Sequence, residues 1–196
     1  MSTVATEMRS DLDINPLLGE RYSPRAFSDR EVTDAELDLL FEAARWAPSS
    51  RNEQPWRFLV TKRGGAGYDA LLASINASNA RWADKAPVLV LCLTTRGFQR
   101  LGVANHHARH DLGLAVSQLT LQATALGIGL HQLGGFNAAG ARDAFGIPEE
   151  YDLVSVLVVG FPGDPNDLPE DLREREIMHS GRKPLTEIVW RGAFPG

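Results

Sequence analysis

The sequence predicts a mixed chain, α+β or α/β, wrapped around one sheet. Three observations carry that expectation. "APVLVLCLT" (86–94) and "YDLVSVLVVGF" (151–161) are nearly all apolar and rich in β-branched residues, as central strands covered on both faces are. Between them, residues 112–126 are apolar or small almost all round. That pattern reads as a helix buried on more than one side, in a core or in a subunit interface. Helical and strand-like segments also interleave along the chain.

Taken in order, residues 1–12 read as a mobile start, and "LDINPLLGERYSPRAF" as a short helix running into a polar turn. Thr33 and Glu36 form a capping-box pattern before "AELDLLFEAARWA", where Leu37, Leu40, Phe41 and Ala44 share a face and Pro48 stops the helix. "WRFLVTK" is strand-like, "RGGAG" a loop after it, and "YDALLASI" a short helix. "HQLGGF" places Gly134 and Gly135 at the end of a short strand, and "NAAGARDAFGIP" is a short helix stopped by Gly146 and Pro148. From Asp164, prolines, glycines and charges mix, so residues 164–196 read as an extended arm with some strand character. The 196 residues fit one domain, 1–196.

Composition excludes several functions. With 43% hydrophobic and 23% charged residues and a net charge of −5, the chain has no basic stripe for nucleic acid or an anionic membrane. The apolar runs are too short to span a bilayer, and the start lacks a signal peptide's basic and apolar segments, so the expectation is a soluble, cytoplasmic protein. The single cysteine, Cys92, sits in an apolar strand and reads as a buried structural thiol. "GIGLHQ" fails as a dinucleotide fingerprint because Gln132 stands where the third glycine belongs. No P-loop and no G-x-S-x-G elbow occur. A helix would put His106 and His110 on one face beside His107, but a metal site needs a third ligand and a second shell. A polar patch is the better reading, and no metal is expected.

The positive signals are polar side chains in connections. "RYSPRAF" offers Arg21, Ser23 and Arg25 within five residues, and an extended turn projects all three to one side. Two guanidiniums and a hydroxyl suit a phosphate or an electron-rich heterocycle. "APSSRNEQPWRF" (47–58) gathers Ser49, Ser50, Asn52 and Gln54, more than the capping of one helix end requires. "NARWADKAP" contributes Asn79, "HQLGGF" a glycine pair that lets backbone approach a flat ligand, and "SGRKPL" Arg182 and Lys183.

These blocks, in this order, resemble the nitroreductase family of FMN-dependent oxidoreductases from about residue 14 onward. The resemblance implies an α+β sandwich with a central, mostly antiparallel sheet flanked by helices. It also implies a homodimer with an extended C-terminal arm and two interface FMN sites built from both chains. By the same resemblance, Arg21 and Ser23 contact the phosphate and ribityl chain, Tyr22 between them is also cofactor-binding, and Arg25 sits near the N1–C2=O edge. Arg182, aided by Lys183, is the second phosphate anchor. Pro48, Ser49, Ser50 and Asn52 reach the partner's flavin, while Gln54 and Trp56 shape the turn. Asn79 reads the pyrimidine edge, and Gln132, Leu133, Gly134 and Gly135 face flavin N5. Many relatives carry an acid where this chain has Gly134, and "RGFQRLGVANHHAR" stands in place of a longer helical lid. The implied activity is ping-pong hydride transfer from NADH or NADPH through FMN to a small acceptor such as a nitroaromatic, quinone or enone. His107 and His110 are candidate cleft residues that modulate proton delivery. The alternative is an FMN-binding storage or sensing protein without turnover.

Overall fold

The computed structural model describes residue 10 and residues 12–178 and 181–195, so the start at 1–12 lies almost wholly outside the described residues. The helices are α1 (Pro16–Glu20), α2 (Asp34–Arg45), α3 (Tyr68–Ser74), α4 (Ala77–Ala83), α5 (Ala108–Ala125), α6 (Ala138–Phe145), α7 (Glu170–Ile177) and α8 (Leu185–Ile188). The strands are β1 (Trp56–Lys62), β2 (Val88–Thr95), β3 (Gly97–Phe98), β4 (Val103–Ala104), β5 (Gly129–Leu133) and β6 (Tyr151–Gly160).

Four strands form one sheet in the order β1-β2-β6-β5, antiparallel at every pairing. The fold is therefore α+β rather than α/β. All eight residues of β2 are buried because the sheet is covered on both faces. Val88, Val90 and Cys92 pack with Leu37 and Leu40 of α2 and Leu112 and Leu119 of α5. Leu89, Leu91 and Leu93 point the other way, toward Leu71 of α3, Trp82 of α4, Ala141 of α6 and Leu172 of α7. That alternation explains the continuous apolar run, since neither face of the strand meets water. Burial of Cys92 pushes its thiol up to about 12, so it stays protonated and inert.

Helix α2 begins as the sequence indicates. The Thr33 hydroxyl accepts from the Glu36 N–H at 3.2 Å, and the Glu36 carboxylate accepts from the Thr33 N–H at 2.8 Å. The C-terminal segment differs from expectation. After β6 the described residues contain no strand but a 3₁₀ turn (Pro165–Asp167), α7 and α8. Pro165 is pre-set for a first helical position and Asp164 caps its turn, so proline starts structure here instead of extending it. The segment read as a shortened lid is a small hairpin, β3–β4.

Candidate functional site

The 21–25 turn lies against the outer end of β5, and the packing there is tight. A Cβ on Gly129 would overlap Pro24 Cγ, so glycine is what lets the turn settle on the strand. His131 Nδ1 stands 2.9 Å from the Pro24 carbonyl, which only accepts, so Nδ1 carries the proton. From the other side, Glu176 of α7 accepts the backbone N–H of Arg25 at 2.9 Å and of Ala26 at 3.4 Å. Beyond it, Gly163 N–H donates to the Ala26 carbonyl and Ser28 N–H to the Phe161 carbonyl, both at 2.9 Å. The turn is held at successive peptide groups.

On the outward side of that turn, β5 and α5 enclose a cavity of about 370 Å³. Leu18, Arg21 and Ser23 close one end, and Leu130 and Gln132 of β5 face Gly113, Ser117, Thr120 and Leu121 of α5. The period-2 pleat brings Leu130 and Gln132 to this face while His131 and Leu133 point to the opposite core. A Cβ on Gly113 or on Gly134 would meet nothing within 4 Å, so the backbone at both borders open space. Arg21 Nη1 lies 3.3 Å from the Ser23 hydroxyl. Burial, and then the positive charge of Arg182, pull the Arg21 pKa down. Arg21 lines this end of the cavity and feels a second guanidinium, an arrangement that suits an anion. Lys183 instead stands 3.9 Å from Glu187.

Beyond β5 the chain reaches Gly134 and Gly135, where α4 meets it. The Asn76 N–H donates to the Gly135 carbonyl at 3.1 Å. A Cβ on Gly135 would stand 2.7 Å from Asn76 Nδ2 and 3.5 Å from Asn79 Nδ2, so both amides converge on this backbone. Trp82 of the same helix is 1% exposed and anchors α4 to the rest of the site. Its ring lies 6.3 Å from Phe27 and 4.6 Å from His131.

The 47–58 stretch forms a strained turn. Arg51, Asn52 and Gln54 have φ of 55°, 56° and 51°, a left-handed region that costs about 1–3 kcal/mol at each non-glycine residue. The Ser49 hydroxyl accepts from the Gln54 N–H at 2.9 Å, so one hydroxyl goes to turn chemistry. The Ser50 N–H donates at 3.0 Å to Asp111, a carboxylate 3% exposed in the first turn of α5. Glu53 accepts from the Gln99 N–H at 2.8 Å, which ties this turn to the β3–β4 hairpin.

Sequence reasoning placed Arg21, Ser23 and Gln132 at one cavity, and the structure brings them together there. Arg182 is near enough to act on Arg21, and Asn79 adjoins Gly135. Arg25 departs from its expected alignment with Arg21 and Ser23. It does not line the cavity, and its guanidinium approaches Glu176 at 3.7 Å because that buried carboxylate draws it inward. Asn52 and Ser50 lie in the strained turn rather than in this cavity, and Tyr22 is half-buried beside it. His106 precedes α5, so it shares no helix face with His110; His106, His107 and His110 are all exposed. Glu176, Asp111 and Asn76 were missed. Only the last carries a local signal, a second Asn three residues before Asn79.

His131 gives a first expected result. Burial pushes its pKa from 6.5 down to about 4, with the charges of Arg25 and Arg21 acting the same way against the hydrogen bond to Pro24. A depressed folded-state pKa means stability that is full above pH 6.5 and is lost as pH falls toward 4. The loss should approach about 3 kcal/mol. Melting curves across that window should show it, and His131→Asn should flatten the slope while lowering the melting temperature at pH 7.5.

An antiparallel α+β sandwich with a basic cavity beside its edge strand is the class that the fold and site define. The chain belongs to the nitroreductase family, whose model matches residues 18–161. It is similar to a solved oxidoreductase containing FMN at 30% identity, TM-score 0.91 and 96% coverage of both chains. It is also similar to a Desulfovibrio desulfuricans protein solved in complex with FMN, at 29% identity and TM-score 0.74, covering 93% of this chain and 99% of that one. A curated relative, the FMN reductase [NAD(P)H] of Bacillus subtilis, is 25% identical over 179 residues, spanning 83% of this chain and 71% of its own length.

Proposed function

We propose that this protein is an FMN-dependent NAD(P)H oxidoreductase that reduces a small electrophilic acceptor, a nitroaromatic, quinone or enone, by a ping-pong mechanism. The observation that carries this reading is the cavity with Arg21 at its mouth, close enough to Arg182 for their charges to oppose each other. A dianionic phosphate turns that repulsion into two charge-assisted contacts.

FMN held there would supply the redox chemistry, two-electron transfer between a nicotinamide donor and a small acceptor. The chain's own residues bind and orient. Arg21 and Arg182 would neutralise its phosphate and Ser23 would donate to it, with Tyr22 and Lys183 in support. The backbone of residues 132–135 would face the flat ring, where Gly134, beside open space, would leave room for a substrate. Asn79 would hydrogen-bond the pyrimidine edge, and Arg25 would lend positive charge to it, tempered by Glu176. His107 and His110, exposed at the start of α5, are the candidates for modulating proton delivery.

We also read the protein as a homodimer. Leu185, Ile188, Val189, Trp190 and Phe194 of the arm are 47–77% exposed, an apolar surface that calls for a cover. A second copy supplies one, with Pro48, Ser49, Ser50 and Asn52 reaching the partner's flavin.

The test is anaerobic. NADH or NADPH added to the yellow holo-protein should bleach the flavin in one turnover, and adding an acceptor afterwards should restore the colour. A yellow protein that no nicotinamide bleaches would mark a storage or sensing role.

A further inference from the structure

Helix α7 is docked by two side chains, Leu172 and Glu176, one turn apart on a single face. An apolar residue is the ordinary occupant of the second position, yet it holds a carboxylate whose side chain is 3% exposed. Burying a charge costs several kcal/mol unless donors surround it. Here the donors are consecutive peptide N–H groups of the turn that carries Arg21 and Ser23, with the Arg25 guanidinium 3.7 Å away. The same charge, after burial, pushes the neighbouring Tyr22 hydroxyl up to about 12. The contact spans 151 residues of sequence, so it fixes the turn relative to α7 and not merely within itself.

We propose that Glu176 is a positioning residue for the phosphate end of the cavity: by accepting the N–H groups of Arg25 and Ala26 it holds Arg21 and Ser23 where they grip the anion. This rests on the FMN reading above. Two effects of Glu176 oppose each other, and their signs differ. Its negative charge alone disfavours a phosphate nearby, so removing it would tighten anion binding. Its hydrogen bonds hold the turn, so disturbing them weakens anion binding. A glutamine at 176 loses the charge and presents an amide NH₂ to one of two N–H donors, which cannot pair. An aspartate keeps the charge but falls short of both.

The experiment is equilibrium titration of flavin-stripped, full-length protein with FMN and with riboflavin, which lacks the phosphate, for wild type, Glu176→Gln and Glu176→Asp. Both variants should bind FMN about tenfold or more weakly and riboflavin within about threefold of wild type, so the preference for FMN falls about tenfold. Equal losses for both ligands would make Glu176 a fold-stabilising residue only and overturn the proposal. Tighter FMN binding by Glu176→Gln would reduce it to a charge effect and overturn it too. Should Glu176→Gln fail to fold, Glu176→Asp carries the same test, because with the charge retained a selective FMN loss is positional. A wild-type protein that binds FMN no better than riboflavin would instead sink the FMN reading, and this proposal with it.

Discussion

Arg21→Ala combined with Arg182→Ala should strip the protein of FMN. Charge-assisted hydrogen bonds contribute roughly 1.5–3 kcal/mol each, so losing two removes about 3–6 kcal/mol of binding. That corresponds to a roughly hundredfold to ten-thousandfold weaker dissociation constant. The stability consequence has a distinctive sign. In the ligand-free protein burial, and then the charge of Arg182, disfavour the charged form of Arg21, so the double variant without flavin should melt close to the wild-type temperature. With FMN at about a hundred times its dissociation constant, wild type gains about 2.7 kcal/mol by linkage and the variant gains little. At about 2–4 °C per kcal/mol for a chain of this size, the holo-proteins should differ by roughly 5–11 °C. Differential scanning fluorimetry with and without FMN reads both comparisons. A variant that retains flavin, or whose ligand-free form melts well below wild type, would mean these arginines serve the fold.

Trp82→Ala is expected to be the most damaging substitution outside the cavity. Trp82 is 1% exposed and packs on Phe27 and His131, one on each side of the 21–25 turn's attachment. Truncating a buried tryptophan costs about 3–5 kcal/mol, a large share of the roughly 5–15 kcal/mol that holds a domain together. Because the same helix carries Asn79, the loss should also loosen the amide pair against Gly135. Urea unfolding should show a lower midpoint with an unchanged slope. Riboflavin affinity should fall along with FMN affinity, since the disturbance reaches the ring end rather than the phosphate end. That pattern separates Trp82 from Glu176.

The parts of the fold that were legible share one property: their signals are local. The Thr33–Glu36 cap, the buried alternation of β2 and the glycine-proline stop after α6 each occupy a few adjacent residues. Helix α7 was illegible for the opposite reason. "EDLREREI" is polar almost all round and buries only Leu172 and Glu176, so no hydrophobic period announces a helix. The site divides in the same way. Arg21 and Ser23 declare themselves by clustering, and Gly135 by its pairing with Gly134. Glu176 and Asp111 do their work across 151 and 61 residues of sequence, so each looks like ordinary solvated surface until the chain is folded. The position of Arg25 was illegible for a related reason. Its spacing matched Arg21, but spacing within a turn says nothing about a buried carboxylate arriving from another helix.

The most direct measurement is the ratio of the riboflavin and FMN dissociation constants of the flavin-stripped wild-type protein at low salt. If Arg21 and Arg182 both grip the phosphate, as proposed, FMN should bind at least about a hundredfold more tightly than riboflavin. Equal affinity for the two flavins would contradict it, because the arginines would then be gripping nothing.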